Sequence, residues 1–192
     1  MSVSMKKIVV LNSSPHKTGS TMTLVNEVLK TIVNKETEIK TYNLNTMQIS
    51  GCQGCYACKK TGKCIIKDDM QQIYQDIEDS DSIILATPVY IYQMTAQLKL
   101  AVDRLFPYLK EDYSSYLSPN KRVLFAVTYG GGDMSQYQQY FHLTGKSLAF
   151  LGFGEYKILI TGNLSEPKEL LERSEVLSEA KEMGQWLLSS TN

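Results

Sequence analysis

The sequence lacks a long apolar run, an excess of charge of either sign, and cysteines spread along the chain. No apolar run approaches the roughly 20 residues that a membrane-spanning helix needs. The 192 residues hold 20 basic and 20 acidic side chains, a balance that indicates neither a nucleic-acid nor a membrane partner. Residues 1–7 lack a secretory apolar segment and a small-residue cleavage site, so we expect a cytoplasmic protein.

Short apolar runs alternate with segments of helical periodicity along the whole chain. Five runs, several of them rich in β-branched residues, predict strands at 7–11, 38–44, 82–86, 123–127 and 156–160. Helical spacing predicts helices at 22–33, 69–77, 94–105, 135–150 and 165–187. The last helix is predicted to begin with Ser165 as its cap and Pro167 in its first turn.

This alternation predicts an α/β protein with a parallel sheet, and the length favours one domain over residues 1–192. Of the two common doubly wound arrangements, the flavodoxin-like three-layer sandwich with strand order 2-1-3-4-5 fits five strands. Such sheets bind ligands beyond the carboxyl ends of their strands, beside strand one. We therefore expect the loops after strands one, three and four to form a binding site.

The loop after strand one is rich in hydroxyls. Residues 13–21 read Ser-Ser-Pro-His-Lys-Thr-Gly-Ser-Thr and precede a predicted helix, whose free N–H groups and dipole favour a phosphate. Neither G-x-x-x-x-G-K-[ST] nor G-x-G-x-x-G occurs here, which argues against a P-loop nucleotidase and a dinucleotide fingerprint. The loop suits a single terminal phosphate, and the alternative is an ordinary capped helix start.

The loops after strands three and four suit a flat ligand. Residues 87–93 contain a proline and two tyrosines that could wall a planar ring, and residues 130–132 are three glycines that let the backbone come close to it. A flavin needs hydrogen-bond donors near N1 and N5, which such a backbone supplies. The alternatives are rim packing for the tyrosines and a flexible turn for the glycines.

These motifs resemble those of the NADPH-dependent FMN reductase family over nearly the whole chain. The likeness rests on residues 13–21, 88–90, 98–99 and 103–104, while residues 52–64 resemble the iron–sulfur flavoprotein branch of that family. The resemblance implies FMN as cofactor, NAD(P)H as co-substrate, and a homodimer or a dimer of dimers. It also implies that no side chain need be catalytic, because the chemistry lies at flavin N5.

The resemblance also implies roles for individual residues. The FMN phosphate is expected to contact Ser14, His16, Lys17, Ser20 and Thr21. The flavin ring is expected to lie along Pro88, Val89, Tyr90, Tyr92, Gln93, Tyr129, Gly130 and Gly131. Lys99, Asp103 and Arg104 are expected to fix a helix or an interface.

His16 departs from the family, which commonly has arginine at that position. A neutral histidine cannot replace a guanidinium fork. If His16 touches the phosphate, FMN binding should weaken as the pH rises and the histidine loses its proton.

The four cysteines follow the pattern Cys52-x2-Cys55-x2-Cys58-x5-Cys64, in a stretch that also holds several lysines. Such a set can surround a [4Fe–4S] cluster, which takes four thiolates, and nearby positive charge stabilises thiolates. Two alternatives stay open. One is a metal-free loop of thiols or labile disulfides. The other is zinc, whose ligands usually form two separated pairs.

From the resemblance we expect an FMN-dependent NAD(P)H oxidoreductase that reduces a small acceptor such as a quinone, a nitro or azo compound, or free flavin. The alternative is an iron–sulfur flavoprotein that relays electrons between redox protein partners across a modest interface. A third possibility is a redox-sensing interaction protein in which the cysteine thiolates are the switch.

Overall fold

The computed structural model describes residues 5–33, 36–118 and 121–189. The expectation about the first residues of the chain therefore falls mostly on residues 1–4, outside the described residues. Within the described part, the strands are β1 (Lys6–Asn12), β2 (Thr37–Asn43), β3 (Ser82–Tyr90), β4 (Gln93–Met94), β5 (Arg122–Tyr129) and β6 (Tyr156–Gly162).

The sheet has the order β2-β1-β3-β5-β6 with parallel pairing, and β4 pairs antiparallel with the end of β3. Without the two-residue β4, this is the predicted flavodoxin-like order, which is confirmed. The register places Asn12 beside Ala86 and Pro88 beside Thr128. The carboxyl ends of β1, β3 and β5 therefore finish side by side at one edge of the sheet.

Helices cover both faces of the sheet. They are α1 (Ser20–Lys30), α2 (Cys58–Thr61), α3 (Met70–Asp79), α4 (Ala96–Asp103), α5 (Met134–Phe150) and α6 (Ser174–Leu188). Alternate residues of each central strand face opposite layers, so Ile8 and Val10 pack with α1 and α6, and Val9 and Leu11 pack with α3 to α5. Burial on both faces explains why these strands are continuous apolar runs.

One close helix contact fixes the position of α1. Gly184 of α6 faces the end of α1, where a Cβ atom added to the glycine would lie 1.9 Å from Thr31 Oγ1 and 2.6 Å from Val28 O. The two helices meet backbone to backbone at this point, so only a residue without a side chain fits.

The predicted last helix is wrong at its start. Residues Pro167–Glu172 form a separate 3-10 helix, and α6 begins only at Ser174. Arg173 between them is extended (φ −94°, ψ 94°), and its guanidinium donates to Gly162 O at 2.7 Å and Asn163 O at 2.9 Å. These contacts with the end of β6 break the helical path, so Ser165 caps no helix.

The region around residue 94 also differs from the prediction. The chain after β3 returns as β4, which includes Met94, and α4 begins at Ala96 with Thr95 Oγ1 accepting a hydrogen bond from Leu98 N at 3.3 Å. Thr95 N in turn donates to Thr87 Oγ1 at 3.1 Å, which closes the hairpin. None of the helices formed by the described residues combines the length and apolar character needed to span a bilayer.

Candidate functional site

Three loops at one sheet edge form the first candidate site. Ser13 donates from both its N and its Oγ to Ala86 O, each at 2.9 Å, which ties the loop after β1 to β3. Thr21 Oγ1 lies 2.7 Å from Thr128 Oγ1, which ties the start of α1 to the end of β5. The three loops that the sequence predicted to meet are therefore brought together, and we call this region the loop edge: residues 13–21, 88–93 and 129–133.

The loop after β1 is a compact turn built by its own polar groups. Ser14 N donates to Asn12 Oδ1 at 3.0 Å, and His16 N donates to Ser14 Oγ at 3.3 Å. Gly19 N donates to His16 O at 3.2 Å, and a Cβ atom on Gly19 would lie 2.9 Å from the Cβ of His16. The turn is tight enough at this point to require glycine.

The open end of α1 faces this turn. Gly19 occupies the N-cap position and supplies no side-chain acceptor. The first N–H groups of a helix have no intrahelical acceptor, and they carry the positive end of the helix dipole. This end of α1 can therefore receive an anion.

The predicted phosphate residues differ in exposure. His16 and Lys17 are exposed and Ser20 is half-buried, so these side chains are accessible at the mouth of the turn. Ser14 and Thr21 are buried, and the Thr21 hydroxyl is engaged with Thr128. Thr21 thus offers its backbone to a ligand more readily than its hydroxyl.

The hairpin between β3 and β4 forms the outer wall of the loop edge. Tyr90 and Gln93 pair across a two-residue turn, in which Ile91 (φ 45°) and Tyr92 (φ 65°) both have left-handed backbones. This type I′ geometry normally selects asparagine and glycine. Ile91 is 90% exposed, so packing against the described residues does not account for this choice of residue.

Aromatic rings connect the hairpin with the loop after β5. The Tyr137 ring centroid lies 5.9 Å from that of Tyr92 and 5.0 Å from that of Tyr129. The Tyr137 hydroxyl also donates to Gly131 O at 2.6 Å. Sequence reasoning missed Tyr137, because on α5 it follows the same apolar spacing as any buried helix residue.

An open groove of about 550 Å³ lies beside the hairpin, large enough for a small planar molecule. Its lining combines the turn with one face of α5: Tyr92, Gln93, Gln136, Gln139, Tyr140, His142, Leu143 and Lys146.

The four cysteines form the second candidate site. Cys52 and Cys55 are exposed, Cys58 is buried and Cys64 is half-buried, and all four are free thiols. They line one small, largely enclosed cavity together with Arg104, Phe106 and other residues. Among residues 5–33, 36–118 and 121–189, no three His, Cys, Asp or Glu side chains are grouped closely enough to hold a single metal ion. The cysteines thus share a cavity without forming a site for a single ion.

Lys59 anchors the cysteine segment, which we define as residues 50–68. Its Nζ donates to Phe106 O at 2.8 Å and to Leu109 O, and lies 3.3 Å from the centroid of the Phe106 ring. Burial lowers the pKa of Lys59, an effect that Cys58 and Cys52 oppose. Burial also raises the pKa of the Cys58 thiol, while the neighbouring Lys59 charge acts to lower it.

A buried ion pair holds both ends of the cysteine segment. Arg104 Nη1 donates to Asp68 Oδ2 at 2.7 Å and to Ser50 O at 2.8 Å, and Nη2 donates to Asp68 Oδ1 at 3.1 Å. Asp68 also accepts from Ser50 N at 2.9 Å and from Met70 N at 3.1 Å. Burial acts to raise the pKa of Asp68, but the hydrogen bonds from Arg104 and the backbone outweigh it and hold that pKa below its usual range.

Lys99 and Asp103, which were expected to fix a helix, form an exposed ion pair one turn apart on α4, with 2.5 Å between Nζ and Oδ1. Arg104, the next residue, is 1% exposed and lies in the interior.

The chain is similar in sequence to known proteins. An iron–sulfur flavoprotein of Archaeoglobus fulgidus is 36% identical over 102 residues, which are 53% of this chain and 46% of that protein. Another from Methanocaldococcus jannaschii is 33% identical over 133 residues, 69% of this chain and 68% of that protein. The aligned part of the chain thus spans less than half the length of the first of these relatives.

Solved structures share the fold. An FMN-dependent NADH-azoreductase from Bacillus anthracis in complex with FMN superposes with a TM-score of 0.74 at 16% identity, covering 96% of this chain and 100% of that one. The sequence model of one family, described as NADPH-dependent FMN reductase, matches residues 6–154. The predicted resemblance is therefore confirmed, and the chain belongs to the NADPH-dependent FMN reductase family.

Proposed function

We propose that the chain is an FMN-dependent oxidoreductase that takes electrons from NAD(P)H and passes them to a small acceptor: a quinone, a nitro or azo compound, or free flavin. The observation that carries this proposal is the convergence of the loops after β1, β3 and β5 at one edge, tied by the Ser13–Ala86 and Thr21–Thr128 contacts. Membership of the NADPH-dependent FMN reductase family and the likeness in fold to an FMN-dependent NADH-azoreductase support it.

The residues present fit FMN. The tight turn closed at Gly19 leaves the N–H groups of α1 open to a phosphate, and Lys17 adds a positive charge beside them. Apart from its two chain neighbours, no described residue has a heavy atom within 4 Å of the position that a Cβ on Gly130 would take, which leaves room for a flat ring. FMN, when bound, would accept a hydride from the nicotinamide and deliver the electrons to the acceptor.

The side chains have positioning tasks in this proposal. Ser14, His16, Lys17, Ser20 and Thr21 would hold the phosphate, Thr21 through its backbone because its hydroxyl is engaged with Thr128. Pro88, Val89, Tyr90, Tyr92, Gln93, Tyr129, Gly130 and Gly131 would lie along the ring. The groove of about 550 Å³ between the hairpin and α5 would admit the acceptor. None of these residues needs to act as an acid or a base.

An FMN titration of the purified chain tests the proposal. We expect FMN to bind, to raise the melting temperature and to support steady-state NAD(P)H oxidation with menadione. Lys17→Ala should weaken FMN binding, whereas Lys30→Ala removes another exposed lysine, at the far end of α1, and should leave it unchanged. A chain that neither binds FMN nor gains stability from it would contradict the proposal.

A second function is favoured by the cavity that all four cysteines line. Under this second proposal the chain is an iron–sulfur flavoprotein, which is the name of the two relatives described above. It would relay electrons between protein partners. The donor set fits a [4Fe–4S] cluster, because Cys52, Cys55, Cys58 and Cys64 supply the four thiolates and buried cations lie beside them. Such a cluster would supply one-electron transfer.

Anaerobic purification with iron and sulfide analysis tests this second function. About four irons and four sulfides per chain are expected, together with rapid reduction by ferredoxin. Fast NAD(P)H turnover without iron would favour the first function alone. A chain that does neither but changes its partner binding on oxidation would support the redox-sensing alternative.

Three further expectations stay predictions: the homodimer or tetramer, the single domain over residues 1–192 and the cytoplasmic location. Four free thiols within one segment support the last of these. Light scattering during size-exclusion chromatography measures the oligomeric state directly.

A further inference from the structure

One atom of the buried arginine has no acceptor. The Arg104 side chain is 1% exposed, and its two terminal nitrogens donate to Asp68 and Ser50. Its Nε is buried and has no hydrogen-bond partner among the residues that the structure describes. A buried donor without a partner is costly, and more so when it is charged, so this N–H group can take one further acceptor.

The location of Arg104 indicates what that ligand is. Arg104 lines the cavity that also takes in all four cysteines, and the remaining wall is largely apolar, with Ile65, Phe106 and Pro107 among its residues. Asp68, then the Tyr74 hydroxyl and last the Cys64 sulfur act on the charge of Arg104, so that Cys64 belongs to its surroundings. A group held by the cysteines would therefore meet a guanidinium in a surrounding of low polarity, where its charge acts strongly.

The ion pair with Asp68 holds this guanidinium in place. Two parallel N–H···O contacts to one carboxylate fix the plane of the fork, and Ser50 O restrains it further. The carboxylate neutralises part of the charge, but its contacts use only the terminal nitrogens. The Nε–H takes part in neither of these contacts.

We propose that Arg104 donates its Nε–H to a sulfur of the iron–sulfur cluster held by Cys52, Cys55, Cys58 and Cys64, and thereby raises the reduction potential of that cluster. The inference rests on the second proposed function. Hydrogen bonds to cluster sulfurs and nearby charge set such potentials. Reduction adds one electron and breaks no bond, so a donor and a positive charge at the sulfur stabilise the reduced form.

The test uses the full chain, reconstituted anaerobically with iron and sulfide and titrated with dithionite as the electron donor. The reduction potential of the cluster is read by EPR. Arg104→Gln should shift the potential to a more negative value. Arg104→Lys keeps the charge but loses the Nε–H group, and should give a smaller shift in the same direction.

Arg122→Gln is the matched control. Arg122 is also buried and also donates to backbone carbonyls, including Trp186 O, but it lies at the opposite end of the sheet from the loop edge. This variant should lose stability without a shift in potential. Iron release to a chelator, measured on the same samples, should be faster in Arg104→Gln than in the wild type.

The possible outcomes distinguish failure of this inference from failure of the proposed iron–sulfur function on which it rests. Iron in the wild type with equal potentials in the wild type and the Arg104 variants overturns the inference and leaves the iron–sulfur function standing. A wild type that takes up no iron overturns both. Should Arg104→Gln fail to fold, Arg104→Lys decides, because an unchanged potential in that folded variant rules out a role for the Nε–H.

Discussion

The loop edge and the cysteine segment are held in different ways. The loop edge is fixed by neutral contacts, such as the hydroxyls of Thr21 and Thr128 and the Ser13–Ala86 bonds, at the ends of strands that are already in register. The cysteine segment lies between β2 and α3, has little regular structure of its own, and is held by the buried charges of Lys59 and Arg104.

The two regions are held differently because the sheet positions one of them directly and the other not. The hydrogen bonds between parallel strands fix the position at which each loop begins, so a few hydroxyl contacts are enough to fix the rest of the loop. The cysteine segment has no such support, and long cationic side chains reach its carbonyls and carboxylate instead. We therefore expect substitutions of charged residues to damage the cysteine segment, and substitutions of hydroxyls or of the turn to act at the loop edge.

The largest effect is expected from Asp68→Asn, which leaves the buried Arg104 charge without its carboxylate. Removing one partner of a buried ion pair costs about 3–5 kcal/mol, and urea denaturation should show a loss of this size. Asp69→Asn is the neighbouring control, because exposed Asp69 accepts from Gln48 N and an asparagine oxygen can still do so, so that the cost should be at most about 1 kcal/mol. Equal losses in the two variants would show that the buried ion pair does not hold the cysteine segment.

The same ion pair predicts a dependence of stability on pH. The pKa of Asp68 is lowered in the folded chain, so its contribution is fully present above the unfolded value of about 3.9 and is lost as the pH falls through the folded value. Unfolding measured between neutral and acid pH should therefore show a smaller acid loss in Asp68→Asn than in the wild type.

A smaller effect is expected from Thr21→Val at the loop edge. The substitution leaves the buried Thr128 hydroxyl without its partner, which costs about 1–3 kcal/mol. Thr128→Val should cost a similar amount, and the double variant should cost less than the sum, because no hydroxyl is then left unpaired. Simple additivity in denaturation experiments would show that this contact does not join α1 to β5.

The next effect is expected from His16→Arg, which should change the affinity for FMN rather than the stability of the fold. If His16 contacts the FMN phosphate, His16→Arg should tighten FMN binding about tenfold, or about 1.4 kcal/mol, because an arginine keeps its charge and can form a fork. Binding to the wild type should weaken as the pH rises, whereas binding to the arginine variant should stay constant. A flat titration of the wild type would place His16 away from the phosphate.

The smallest effect is expected from Ile91→Asn in the hairpin. Both turn residues have left-handed backbones, which asparagine adopts more readily than a β-branched residue. Relief of this strain should stabilise the chain by about 1 kcal/mol, seen as a higher melting temperature. Ile91→Val keeps the branching and should give no gain, so an equal rise in both variants would argue against strain.

The sequence predicted the structure correctly where the local pattern of apolar residues matches their burial in the sheet. The β-branched runs around Val9 and Ile84 predicted buried strands because both faces are covered, and their order predicted which loops would meet. The break before α6 was not predictable, since it depends on contacts between Arg173 and the distant end of β6. Arg104 was expected only to fix a helix or an interface. Its buried ion pair was not predictable either, because its partner Asp68 lies 36 residues away in the sequence.

The contact at Gly184 makes the position of the C-terminal end of α1 relevant to cofactor affinity. Any side chain at this position would push the far end of α1 away from α6, and a rigid rod displaced at one end also tilts at the other, where the phosphate is proposed to bind. A screen for weakened cofactor retention should therefore return variants at position 184, remote as it is from any atom of the ligand.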